Sequence, residues 1–470
     1  MQLRNQLLSA TVLSTGALAQ MANNSTLVLA PLTDSMSNSS MASDMTSGSA
    51  SVSSAATMDM TALSASSGVD SLSSLSSSSS TSSVPLSTCS IGTGATYTNQ
   101  VQLDTLDGCG VIVGDLTVSG DVTSASLSDL VELDGDLVLY NATSLLSFTA
   151  PKLRKIDGKL SMQDLTVLAT ATFPELAEVD DIEMVALPAI TDFAVNLGSV
   201  DNILISDTAL EAIVGLGALQ EINELNINNN RYLTSFNSSL KYVTESLQFT
   251  FNGMETAVKF DDLIWANNIT LRDVDSASFA NLQYVNASFG VINNTLTDLN
   301  LNQLVRVGQG FAVESNDGLT TVSADNLTFV GGGLVLANNT ALTNINGFSK
   351  LETIGGALIV RGDFNNFTLP SLKSLRGSAT LDTTSSNFTC DAFKHMQERG
   401  VIEGDVFVCK NGAVSISEDL SSGVAVSTAM TDEHGSTVSS TRTHKDAAVG
   451  LSVPATSFFG VVAAVIFGFL

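Results

Sequence analysis

The sequence predicts a mainly β chain wound as a right-handed parallel β-solenoid of about 13 coils. Three observations predict it: short segments that alternate apolar and polar residues and end in Asn, a constant step between them, and four cysteines that flank them. The segments include GDLVLYN, ELNINNN, SLQFTFN, GFAVESN and GGLVLANN. Alternation of period two marks a strand with one buried face. The inward pairs run Leu116/Val118, Leu137/Leu139, Leu160/Met162, Ile182/Met184, Ile203/Ile205, Leu225/Ile227 and Leu247/Phe249. They continue with Ile269/Leu271, Phe289/Val291, Phe311/Val313, Leu334/Leu336, Leu358/Val360 and Ala379/Leu381. From Leu116 to Ala379 is 263 residues over twelve steps, about 22 per step. That period lies in the range of leucine-rich repeats.

A second apolar pair recurs between these strands, at Leu153/Ile156, Leu176/Val179, Leu219/Ile222, Leu240/Val243 and Leu282/Val285, and further on at Leu304/Val307, Leu327/Val330, Leu351/Ile354 and Leu372/Leu375. One coil cannot bury both pairs, so the coils must stack into one core. Asn recurs three positions after the second inward residue, at Asn230, Asn252, Asn294, Asn316 and Asn339. There the strand turns and leaves backbone groups unpaired, which a buried Asn ladder can satisfy.

The cysteines are Cys89, Cys109, Cys390 and Cys409, two before the first coil and two after the last. Twelve steps of about 4.8 Å hold the ends roughly 60 Å apart, while a disulfide needs Cα atoms within about 7 Å. Only Cys89–Cys109 and Cys390–Cys409 meet that requirement. Each staples an end, and residues 390–399 (CDAFKHMQER) read as a short capping helix stopped by Gly400.

The termini carry processing signals. Residues 1–19 (MQLRNQLLSATVLSTGALA) have Arg4, a mildly apolar stretch and a small-x-small site, which predicts a signal peptide cleaved after Ala19. Residues 458–470 are apolar and too short to span a bilayer. They follow a polar spacer and the small residues Gly435-Ser436-Thr437, the order of a glycosylphosphatidylinositol (GPI) signal with attachment near Gly435. Residues 20–88 form a Ser/Thr-rich tract, with 30 Ser or Thr among the 58 positions of 31–88, and read as a disordered, O-glycosylated spacer. The predicted organisation is 1–19 signal peptide, 20–88 spacer, 89–410 solenoid, 411–446 Ser/Thr-rich linker with the anchor site, and 447–470 removed signal.

Sequons mark expected N-glycans at Asn23, Asn24 and Asn38, and in the repeats at Asn141, Asn237, Asn268, Asn286, Asn293, Asn326, Asn338, Asn366 and Asn387. Asn141, Asn293 and Asn338 stand one residue before the ladder column, so they are expected to face solvent. The formal charge of -28, from 19 Lys and Arg against 47 Asp and Glu, excludes nucleic acid as a partner.

Catalytic patterns are scarce. The three His lie at His395, His434 and His444, without a metalloprotease or nucleophile-elbow motif. The glycine turns Gly308-Gln309-Gly310 and Gly331-Gly332-Gly333 lack a following helix for a phosphate. Asp180-Asp181 and Asp261-Asp262 are the only acid doublets in the repeats, and adjacent residues diverge instead of facing one another as glycoside hydrolysis requires. Acids of neighbouring coils could still converge. No catalytic, cofactor or metal residue is assigned. Trp265 is expected to pack in the core beside Leu263. Asp363 of the tripeptide Arg361-Gly362-Asp363 is expected to point inward, in the ladder position.

The stretches CSIGTGATYTNQVQLDTLDGCGVIVGDLTVSG, LIWANNITLR, LETIGGALIV and GVIEGDVFVCK, over roughly Cys89 to Lys410, resemble the fungal GPI-anchored cell-wall organisation proteins, relatives of the sporulation-specific wall protein. Their repeats are like receptor L-domains. The resemblance implies a leucine-rich-repeat-like receptor L-domain solenoid, a role in wall organisation and integrity, and no catalytic residues. It implies an extracellular place at the outer face of the plasma membrane and in the wall. The partners it implies are cell-wall polysaccharide or wall proteins and, through a lipid anchor, the membrane; a monomer is expected. The Ser-rich tract before Cys89 departs from the usual pattern. The alternatives are a polysaccharide-active β-helix enzyme and a receptor-like ligand-binding surface protein.

Overall fold

A computed structural model describes residues 86–92, 94–412, 414–419 and 424–427. The predicted signal peptide, most of the Ser/Thr-rich tract with Asn23, Asn24 and Asn38, and the anchor site at Gly435 lie outside the described residues.

The chain winds into a parallel β-solenoid. Each of the thirteen inward pairs is buried, and each is in parallel register with the next. The register runs past both ends of that series. Ala95–Tyr97 pairs with Leu116–Val118, and Val406–Asn411 pairs with Ala379–Thr383. The second apolar pairs are all buried too, and Leu130/Leu133, Leu197/Val200 and Leu263/Ala266 complete the series where the sequence pattern was silent.

The coil has a third side. Two- and three-residue strands such as Ser147–Thr149, Thr170–Thr172 and Ser235–Asn237 bury one residue each, among them Phe148, Ala171 and Phe236. Buried phenylalanines of this side and of the long strands form a continuous chain of ring contacts. Phe236, Phe260, Phe279, Phe289 and Phe311 follow one another at centroid distances of 5.3–6.0 Å.

The disulfides Cys89–Cys109 and Cys390–Cys409 close the two ends, with Cα separations of 5.7 and 6.0 Å. The helix Asp391–Glu398 buries Phe393 against the last coil and ends at Gly400, whose φ of +73° suits glycine. The C-terminal strands Val414–Asp419 and Val424–Ser427 add antiparallel to the sheet.

In ten successive coils a non-glycine residue holds a left-handed backbone at the corner that follows the long strand. They are Asn141, Asp164, Ala186, Asp207, Asn229, Phe251, Asp273, Asn293, Ser315 and Asn338, with φ between +50° and +58°. Asn and Asp tolerate this region best. This corner, and not strand alternation, turns Asn141, Asn293 and Asn338 to solvent while their neighbours Ala142, Asn294 and Asn339 point inward. Next to it the buried Asn residues form two ladders. Asn230 donates Nδ2–H to the Asn252 side-chain oxygen at 3.1 Å; Asn294 does so to Asn316, and Asn316 to Asn339, both at 3.0 Å. Each ladder oxygen also accepts a backbone N–H of the preceding coil, as from Asn294 to Asn316 at 2.9 Å. Val274 interrupts the stack between Asn252 and Asn294.

Candidate functional site

The site to consider is the solvent face of the solenoid, since among the described residues no group of three or more His, Cys, Asp or Glu is placed to hold a metal ion. The outward residue just before each second apolar position forms a row along the sheet. Register partners place Glu132, Lys155 and Glu178 at one end of it. Farther along come Glu221, Tyr242, Trp265, Tyr284, Arg306, Phe329, Thr353 and Ser374. Partners in a parallel sheet point the same way, so five consecutive coils present Tyr242, Trp265, Tyr284, Arg306 and Phe329 side by side. Tyr242 and Tyr284 are each 41% exposed, and Trp265 and Phe329 are half-buried. The Arg306 guanidinium lies over the Phe329 ring, 3.7 Å from its centroid, a cation–π contact.

Trp265 is therefore not a core residue. The inward position of its strand is Ala266, fully buried, and the indole stands one residue earlier on the outer face. Asp363 also departs from expectation. It is exposed and accepts a hydrogen bond from the Thr384 hydroxyl at 2.6 Å. The strand Leu358–Gly362 continues past the usual corner, and Phe364 takes the buried place.

Two residues beyond the row lies a companion column on the same face. It begins with Asp134, Asp157, Asp180 and Asp201, continues with Asn223, Thr244, Asn267 and Asn286, and runs through Gly308, Gly331 and Gly355 to Arg376. In its amide stretch the Thr244 hydroxyl donates to Asn223 Oδ1 at 2.6 Å, and Asn286 Nδ2 donates to Asn267 Oδ1 at 2.7 Å. The glycines are dictated by packing. A Cβ on Gly308 would meet the carbonyl oxygen of Asn286, one on Gly331 that of Gly308, and one on Gly355 that of Gly331. In the acidic stretch, desolvation and then the neighbouring Asp201, Asp157 and Asp181 push the Asp180 carboxyl above its ordinary value, against Lys155. Elsewhere on the sheet, burial raises Glu314, opposed by Arg272.

The nine sequons of the repeats fall on corners, turns and the outer sheet face. Asn141, Asn237, Asn286, Asn293, Asn338, Asn366 and Asn387 are exposed; Asn268 and Asn326 are half-buried. Asn293 Nδ2 donates to Asp273 Oδ1 at 2.9 Å, and Asn326 Nδ2 to the Asn302 carbonyl at 2.7 Å. Asn268 and Asn286 flank the aromatic row, three residues after Trp265 and two after Tyr284.

More than two thirds of the chain aligns with curated relatives. The cell wall mannoprotein PST1 of Saccharomyces cerevisiae is 49% identical over 323 residues, 69% of this chain and 73% of that protein. The cell surface GPI-anchored protein ECM33 of Candida albicans is 34% identical over 322 residues, 68% of this chain and 78% of that one. The chain belongs to this fungal cell-wall and surface protein family. Another member, the cell wall protein ecm33 of Schizosaccharomyces pombe, is 30% identical over 349 residues, 72% of this chain and 82% of that protein. No family model matches the chain. The relatives' names describe wall and surface proteins, not enzymes. Among the described residues no helix is long and apolar enough to cross a membrane.

Proposed function

We propose that this protein is a GPI-anchored, N-glycosylated surface protein that organises the fungal cell wall as a non-catalytic scaffold. The observation that carries the reading is its 49% identity to a cell wall mannoprotein over 323 residues. The exposed sequons and the anchor signal near Gly435 support it. In this reading the chain acts from outside the cell, at the membrane surface and in the wall, and its partners are wall polysaccharides or wall proteins.

The carboxylate column does not favour a hydrolase. Asp134, Asp157, Asp180 and Asp201 stand side by side on one face, whereas glycoside hydrolysis needs two carboxyl groups flanking the bond from either side.

The test is deletion and complementation in the source fungus. Loss of the gene should raise sensitivity to wall-perturbing dyes, and the intact gene should restore resistance. Phosphatidylinositol-specific phospholipase should release the protein from the surface. Unaltered wall behaviour on deletion, or retention inside the cell, would overturn the reading. Turnover of β-glucan, chitin or mannan by the purified protein would overturn its non-catalytic part.

A further inference from the structure

We infer that the row Tyr242–Trp265–Tyr284–Arg306–Phe329 binds an extended, uncharged β-1,4-linked polysaccharide chain lying along the stack of coils, with successive sugar rings on successive coils.

The row is not needed by the fold. The equivalent outward positions elsewhere hold Lys155, Glu178, Ser199 and Glu221, so the solenoid accepts charged or small polar residues there. Three aromatic side chains wholly or partly open to water at one position in neighbouring coils, Tyr242, Trp265 and Tyr284, call for another cause. The companion column changes over the same coils, from four Asp to Asn223, Thr244, Asn267 and Asn286 and then to glycine. In a chain with 47 acids, the row and companion positions themselves carry no carboxylate from Tyr242 to Gly331 and Arg306 is their only charge, while Glu245 stands exposed in the bulge beside Thr244. Such a sparsely charged face suits an uncharged ligand.

The shape selects the ligand class. A pyranose ring presents axial C–H groups on its flat faces and hydroxyls at its rim. The faces pack on aromatic rings, and the rim seeks amide, hydroxyl and guanidinium partners. Here the aromatics stand beside Thr244 and Asn267, and the Arg306 guanidinium spreads over Phe329. Neighbouring strands are about 4.8 Å apart, close to the advance per sugar of a flat β-1,4 ribbon. A ribbon thus keeps in step with the coils over all five, where a helical chain would lift off. Beyond Asn286 the companion column is bare backbone at Gly308 and Gly331, so no side chain stands in the ribbon's way.

This inference rests on the wall-surface reading for its biological meaning, but its test does not. Trp265 is the single tryptophan of the chain and sits within the row, so it reports binding directly. The full chain, purified from a yeast host, would be titrated with chitohexaose and cellohexaose while tryptophan emission is followed, and sedimented with insoluble chitin. A saturable emission change and co-sedimentation are expected. Tyr242→Ala/Tyr284→Ala, which keeps the reporter, should weaken both at least tenfold without altering the melting temperature. Should that variant unfold, Arg306→Ala serves in its place and should weaken binding severalfold. No emission change and no sedimentation by the wild type overturns the inference. Binding that appears only in Asn268→Gln/Asn286→Gln also overturns it, since the row would then be covered by the protein's own glycans. Binding of β-1,3-glucan in place of the β-1,4 chains overturns the ligand class. A protein correctly placed at the cell surface that fails these assays would leave the wall reading intact and sink only this inference.

Discussion

At the scale of single residues, the side chains that matter most are those with no freedom left. Asn316 makes hydrogen bonds to three coils: it accepts from Asn294 and donates to Asn339 and to the carbonyls of Val291 and Glu314. Asn316→Ala strands several buried groups at once, so it should cost roughly 2–3 kcal/mol in chemical denaturation. Asn338→Ala, at the exposed corner beside Asn339, should cost less, by the modest penalty of placing Ala in the left-handed region. Asp180 makes a prediction with a pH sign. Its folded pKa is raised, chiefly by desolvation and by Asp201, so the unfolded chain ionises first and stability falls as pH rises through the folded value. Asp180→Asn should raise the melting temperature at neutral pH, and the gain should fade as the pH drops below the carboxylate range. A gain that persisted in acid would mean a cause other than charge.

At the scale of the element, what could be read from the sequence depended on how much pattern each strand carries. The long strands bury two residues in alternation, and those pairs identify themselves. The third side buries a single residue per two- or three-residue strand, such as Phe148 or Phe236, which leaves no period to detect. Trp265 reads as a core residue in sequence for a related reason: its true inward neighbour, Ala266, is too small to stand out as a core position. The corner hides in sequence because its occupants, Asn, Asp, Ala, Ser and Phe, share a backbone angle and not a chemistry. The aromatic row hides because its members lie 19–23 residues apart and come into line only through the registers, which bulges between paired strands keep adjusting. The glycine column gives the element-scale prediction. Gly331→Ala drives a Cβ into the Gly308 carbonyl, and backbone cannot swing aside as a side chain can. It should lower stability by about 1–3 kcal/mol, while Gly217→Ala, with nothing within 4 Å of its Cβ, should be close to neutral in the same denaturation assay.

At the scale of the whole solenoid, the ledger of interactions is nearest-neighbour. Each coil bonds to the one before and the one after, the phenylalanine contacts pass from coil to coil, and no buried side-chain polar atom among the described residues lacks a partner. Stability in such an array is a sum of coils and of the interfaces between them, so its weakest points are the two ends, where one interface is missing.

The two end disulfides then acquire a mechanical meaning. A pull on the chain termini loads the solenoid as a zip, opening one coil at a time from an end, because successive strands are joined in sequence and bonded in the same order. Each freed coil of about 22 residues pays out at most roughly 75 Å of extended chain. Cys89–Cys109 and Cys390–Cys409 clip the first tooth at each end. Tension can reach the interior only by tearing a cap away whole, which makes the folded region a spring with a threshold, and chemical reduction the step that removes it.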